Sequence, residues 1–262
     1  RSDRLVTIAV LPMMSCAGRL PIYMMFVSAL FPSRLQAPVL FGIYASGVLL
    51  ALCCARLLKN TLFKAPQRDS LHHMKRLRLP SLRKVGILMW SRAFMYVRKA
   101  GTFILGASII LWFLNTYPRP EENTAPTNAA AMEHSYAGQI GHWMEPVTQV
   151  AGFDWKINSA LVGAFAAKEI FVTQMGILYA VEDGNSVPAA QQTLNARLKA
   201  SYTPLQGISI MIFCLIALPC IGTVTVAKRE AGTWWFALAQ FGGLTLLGFA
   251  TATLIYQAGL LL

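Results

Sequence analysis

Three stretches of this sequence, Leu35 to Ala55, Ala200 to Ala227 and Ala231 to Leu262, contain no charged residue. Each is long enough to cross a hydrocarbon core about 30 Å thick as an α-helix rising about 1.5 Å per residue. Backbone amides in lipid must be satisfied within their own segment, so such runs are expected to be helices. A transmembrane barrel would show alternating polarity instead, and these runs do not. The chain carries 13% charged residues in 262, against about 25% in an ordinary soluble domain. The expected fold is all-α: a polytopic transmembrane helix bundle with broken helices and a cytoplasmic amphipathic helix.

The formal charge of +12 invites a nucleic-acid reading, but its distribution opposes one. Of the 23 Lys and Arg, 12 fall between Arg56 and Lys99, where Asp69 is the one acid. A basic connection between two spans is what the positive-inside bias produces, so the lipid bilayer is the expected partner and nucleic acid is not. The stretch Pro118 to Asn158 balances Arg119 and Lys156 against Glu121, Glu122, Glu133, Glu145 and Asp154, and is expected on the opposite side. Cys16, Cys53, Cys54, Cys214 and Cys220 all lie in apolar segments, which argues against a secreted disulfide framework.

Three regions follow from this patterning. Residues 1–58 hold two membrane segments, the first of them broken. Residues 59–99 form a basic connection whose second half, Leu82 to Lys99, reads as an amphipathic helix on the membrane surface. It places Lys84, Arg92 and Lys99 apart from Leu82, Val85, Met89 and Ala93. Residues 100–262 hold gate-like membrane segments with loops at 118–158 and 182–203. Six segments result, one of them at 157–181, which either spans or re-enters.

Three places break the rules for a lipid-facing helix. Pro12 to Pro21 (PMMSCAGRLP) joins helix-breaking Pro12, Gly18 and Pro21 to Ser15, Cys16 and Arg19. Broken backbone at membrane depth is tolerated where it lines a cavity or is buried in protein. Ala166 to Phe171 (AAKEIF) puts Lys168 and Glu169 in an apolar segment, where each charge costs about 2.5–3.5 kcal/mol on insertion scales. Leu218 to Glu230 (LPCIGTVTVAKRE) again joins proline, cysteine, glycine and hydroxyl groups. Thiol, carboxylate and hydroxyl groups at such breaks suit a cation pathway, and two sulfurs shift the preference toward a soft transition metal. The candidate pathway residues are Cys16, Cys220, Glu169, Ser15 and Thr223, with Arg19, Pro12, Pro21 and Pro219 bracing the breaks. The competing structural readings are a proline-kinked packing helix, an ion pair of Glu169 with Arg19 or Lys168, and cysteines acting as small core residues. No residue is singled out as catalytic or cofactor-binding.

At PMMSCAGRLPIY, KEIFVTQMGILY and LPCIGTVTVAKREAG the chain resembles the C-terminal part of the membrane domain of the bacterial ferrous iron transport protein B family, FeoB. The matching positions are Pro12, Met14, Ser15, Cys16, Arg19, Leu20, Pro21 and Tyr23. They continue with Lys168, Glu169 and Val172, then Pro219, Cys220, Thr223, Arg229 and Glu230. The resemblance implies a multi-pass protein of the bacterial cell inner membrane that transports Fe²⁺ as substrate. It implies Cys16 and Cys220 as pathway cysteines and Glu169 as their carboxylate partner. It also implies a partner, the rest of the transporter with its N-terminal G domain, and leaves room for a homo-oligomer. One departure is His73-Met74-Lys75-Arg76-Leu77, where relatives often have an acidic E-L-P.

The sequence contains no G-x-x-x-x-G-K-[ST] phosphate loop, so no GTP site is expected in this chain. It opens Arg-Ser-Asp-Arg without an initiator Met, as a fragment or split-gene product would. The chain is expected to be a transporter segment and not an enzyme. An intramembrane zinc protease would need H-E-x-x-H in a span, and His72, His73, His134 and His142 all lie in expected loops. The alternatives are a nucleoside-transporter-like gate protein, or a non-transporting membrane scaffold or sensor.

Overall fold

The computed structural model describes residues 2–61, 81–118, 133–180, 187–217 and 219–261. Those residues are helical throughout apart from short connections. Much of the basic connection (62–80), the start of the 118–158 stretch (119–132) and residues 182–186 of the second expected loop lie outside the described residues.

The first membrane segment is broken where Pro12 and Gly18 lead one to expect it. Helix α1 (Ser2–Val10) ends in a single 3₁₀ turn, Leu11–Met13, and the chain runs extended through Met14. A second 3₁₀ turn, Ala17–Arg19, then opens onto α2 (Leu20–Leu30), which has Pro21 in its first turn, where a missing N–H costs nothing. Helix α3 (Ser33–Thr61) is continuous. The amphipathic segment and the third span form one unbroken helix, α4 (Leu82–Thr116). At 35 residues it is about 52 Å long, so much of it extends beyond a hydrocarbon core of about 30 Å.

Both stretches read as loops contain helices. Helix α5 (Tyr136–Thr148) is capped by Ser135, whose Oγ accepts from Gly138 N–H at 3.2 Å. Helix α8 (Val187–Ser201) lies within 182–203 and packs on α2. Its Leu198, with Tyr202 just beyond its end, is fully buried. The four-residue spacing of Leu194, Leu198 and Tyr202 is the helical signal in this stretch.

The described part of segment 157–181 folds back on itself. Helix α6 (Trp155–Ala166) is capped by Asp154, and α7 (Lys168–Ala180) follows a single extended residue, Ala167. A Cβ built on Gly163 would lie 3.0 Å from Ile170 Cγ2 and 3.3 Å from Gln174 Cγ. Residues eleven apart in a continuous helix are separated by about 16 Å along the axis, so the chain doubles back. With 12 and 13 residues, each half is about 18–20 Å long and too short to span alone.

The last spans are α9 (Pro204–Ile216) and α10 (Ile221–Ala231), separated at Ala217–Cys220, then α11 (Trp234–Leu261). Among the described residues, four helical stretches are long and apolar enough to cross a membrane: Leu5–Leu30, Ser33–Thr61, Pro204–Ala231 and Trp234–Leu261. Two of these four are the broken ones. The core forms where α2, α6, α7 and α9 meet, around Phe26, Ile157, Phe171, Met175, Ile210 and Met211. Phe41, Leu49 and Leu52 of α3 and Trp235, Leu246 and Leu254 of α11 face outward, as lipid contact requires.

Candidate functional site

Each helix break frees backbone carbonyls, and in an apolar interior each must find a donor. Three polar side chains provide them. Gln240 of α11 donates through Nε2 to Ile8 O at 2.9 Å and Ala9 O at 3.2 Å, at the end of α1. Arg19, buried, donates through Nη1 to Met14 O at 3.0 Å across the break it belongs to. Lys168, also buried, donates through Nζ to Cys214 O at 2.8 Å and Ala217 O at 3.0 Å, at the end of α9. A cation there complements the partial negative charge of a helix C-terminus.

Lys168 therefore joins the helical hairpin to the broken helix that carries Cys220. It is not the counter-charge of Glu169. Among the described residues neither Lys168 nor Arg19 forms an ion pair with a carboxylate, which removes the ion-pair reading of Glu169.

Glu169 is exposed and turns toward the first break. A Cβ built on Gly18 would lie 2.6 Å from Glu169 Oε1, so only glycine lets the carboxylate approach the 17–19 turn this closely. Cys16 heads that turn, its carbonyl accepting from Arg19 N–H at 3.1 Å, and it is exposed. Cys220 heads α10 in the same way, its carbonyl accepting from Thr223 N–H at 2.8 Å. Its Sγ lies 3.3 Å from Thr223 Oγ1. The adjacent Lys168 and Glu169 thus reach the helix end that precedes Cys220 and the turn that Cys16 heads.

Pro12 and Pro21 flank the first break and Pro219 lies buried in the second. Ser15 Oγ is buried beside Tyr23. Among the described residues no three His, Cys, Asp or Glu side chains are close enough together to hold a metal ion.

Two models of protein families match the chain. The one described as "Ferrous iron transport protein B C terminus" matches residues 40–92, and the Gate model, described as "Nucleoside recognition", matches residues 97–234. The Fe(2+) transporter FeoB of Campylobacter jejuni is 36% identical over 243 residues, covering 92% of this chain. The chain belongs to the FeoB family, as a C-terminal part of its membrane domain. The Fe(2+) transport protein A/Fe(2+) transporter FeoB fusion protein of Porphyromonas gingivalis is 34% identical over 297 residues and covers the whole chain. The Helicobacter pylori FeoB of strain 26695 is 30% identical over 286 residues, covering 98% of it. The chain spans only 39%, 35% and 44% of the lengths of these three FeoB relatives. No solved structure matches it.

Within this FeoB segment, the sequence points to the breaks at Pro12 to Pro21 and at Pro219 but not to Gln240, which holds the end of α1. Gln240 is one of two glutamines in the charge-free run Ala231 to Leu262. Gly18 breaks the helix, and its lack of a side chain also admits Glu169.

Proposed function

We propose that this chain is the part of a bacterial inner-membrane transporter through which Fe²⁺ passes, along Cys16, Ser15, Glu169, Cys220 and Thr223. One observation carries the reading: the Glu169 carboxylate lies against Gly18 in the turn headed by Cys16. Its neighbour Lys168 meanwhile ties the helix end that precedes Cys220. Two broken spans and a helical hairpin thus present thiol, carboxylate and hydroxyl groups to one region. Sulfur and carboxylate together suit a borderline-soft divalent ion.

Arg19, Pro12, Pro21 and Pro219 brace the pathway. The ion is cargo, and an open set of ligands fits that role, because a transported ion must leave as readily as it enters. The remainder of the transporter, including an N-terminal G domain, supplies the nucleotide-linked gating, and the segment itself is not an enzyme.

Anaerobic uptake of labelled Fe²⁺ by cells carrying the complete protein tests this. Cys16→Ser, Cys220→Ser and Glu169→Gln at matched membrane abundance should each lower uptake, while Cys53→Ser should not. Wild-type uptake in all three variants would sink the pathway assignment. The description of the Gate model favours a second reading, nucleoside transport. Labelled nucleoside accumulating in the same cells in place of Fe²⁺ would establish it.

A further inference from the structure

Helix α7 carries Glu169, and three other residues along it are tied to three different helices. Lys168 donates to the carbonyls that end α9. Tyr179 donates through its hydroxyl to Tyr202 Oη at 3.0 Å, and its carbonyl accepts from Arg197 Nη1 of α8 at 3.1 Å. Gln174, 1% exposed, donates through Nε2 to Asn115 Oδ1 at 3.0 Å, in the last turn of α4. Gly163 of α6 leaves room for the Gln174 stem: a Cβ there would lie 3.3 Å from its Cγ and 3.7 Å from its Nε2.

The three tethers do different work. At about 100° per residue, Lys168 and Tyr179 lie within about 20° of one another around α7. Two fixed points along one line leave a helix free to roll about that line. Apolar packing opposes the roll weakly, because it is non-directional. Gln174 stands about 120° from Lys168 and supplies the point off the line. Glu169 is about 140° from Gln174, so a roll that this bond does not stop carries the carboxylate with it. With the side chain ending roughly 6 Å from the helix axis, a roll of about 10° moves it by about 1 Å. The amide pair is not needed for stability. Gln174 Oε1 has no hydrogen-bond partner among the described residues, and two apolar groups of the same shape would pack at no net loss. Orientation is what the pair adds.

We propose that Asn115 and Gln174 are a positioning pair: their amide bond fixes the roll of α7 so that Glu169 faces the 17–19 turn. Helix α4 thereby sets the geometry of the cation path without touching the ion. The inference rests on the reading of Glu169 as a pathway group.

The test uses the complete protein. Asn115→Leu with Gln174→Leu removes both amides together and should keep the wild-type thermal midpoint. Fe²⁺ uptake at matched membrane abundance should still fall about fivefold, as loss of one hydrogen bond predicts. Asn115→Gln with Gln174→Asn restores a pair of the same summed length and should recover most of the uptake. Added to Glu169→Gln, the two leucine substitutions should cause no further loss, because the pair acts through that carboxylate. A merely structural role would instead lower the midpoint and give additive losses.

A second readout needs no iron. With Glu169→Cys in nanodiscs, the rate at which a small methanethiosulfonate reagent modifies position 169 should change several-fold in the double leucine variant, because thiol reactivity follows exposure and local charge. It should return in the exchanged pair, with Cys53 constant throughout. Unchanged labelling at position 169 would overturn the proposal, as would wild-type uptake in the double leucine variant when Glu169→Gln lowers it. Wild-type uptake in Glu169→Gln would sink the pathway reading instead, and labelling at position 169 would still decide whether the pair sets its orientation.

Discussion

Lys168 Nζ donates 2.8 Å to Cys214 O and reaches the next freed carbonyl, Ala217 O, at 3.0 Å. One side chain on the α6–α7 hairpin thus terminates α9 and sets where the chain turns toward Cys220. Lys168→Met keeps the stem and removes the charge, leaving two carbonyls without a donor in an apolar interior. It should destabilise the folded protein by about 3 kcal/mol, read as an earlier thermal unfolding midpoint in detergent, while Lys156→Met should have a much smaller effect. Equal midpoints for Lys168→Met and wild type would remove the tether.

The contact between Gly18 and Glu169 makes a separate prediction. A methyl group at position 18 would fall 2.6 Å from Glu169 Oε1, and the exposed carboxylate can swing away. Gly18→Ala should therefore lower Fe²⁺ uptake roughly tenfold, about 1.4 kcal/mol, while stability changes little. If both act through one contact, Gly18→Ala with Glu169→Gln should be no worse than Glu169→Gln alone. Additive losses would mean that the two positions act independently.

Gln240 holds the end of α1 as Lys168 holds the end of α9. Gln240→Leu preserves bulk and strands the carbonyls of Ile8 and Ala9. A loss of about 1–3 kcal/mol is expected. Hydrogen exchange should locate it in residues 5–13, and equal exchange there in variant and wild type would refute the role.

Asp154 lies outside the spans, where its Oδ1 caps α6 through Ile157 N–H at 2.9 Å and its Oδ2 accepts from Tyr202 at 2.9 Å. Burial pushes its carboxyl above the ordinary value near 3.8, against the opposing pull of these bonds and of Lys156. The folded state therefore holds this proton more tightly than the unfolded state does. Between 3.8 and the raised value, its contribution to stability falls as pH rises. Asp154→Asn, which can still cap the helix, should lose that component of the pH dependence. Identical pH profiles for the two proteins would contradict this.

The sequence made the breaks legible because each carries its cause in residue type. Pro12, Gly18, Pro21 and Pro219 cannot continue a helix without consequence, and charge-free runs state their lengths directly. The reversal at Ala167 is not legible. Ala166 and Ala167 are good helix formers, and what reverses the chain there is tertiary: Gly163 against Gln174, and Lys168 drawn to α9. The pairing of Glu169 with Gly18 spans about 150 positions, and no local pattern encodes it. Helix α8 is masked by Gln191, Gln192, Asn195, Arg197 and Lys199, which surround its apolar Leu194 and Leu198 in the sequence.

The central claim is that Cys16 and Cys220 border a common cation path, and thiol labelling reads it most directly. In the complete protein, held anaerobically in nanodiscs, a small methanethiosulfonate reagent should modify Cys16, Cys220 and Cys53, each monitored by mass spectrometry. Fe²⁺ should slow labelling of Cys16 and Cys220 together, leave Cys53 unchanged, and lose its effect in Glu169→Gln. Labelling of Cys16 and Cys220 at the same rate with and without Fe²⁺ would contradict the account.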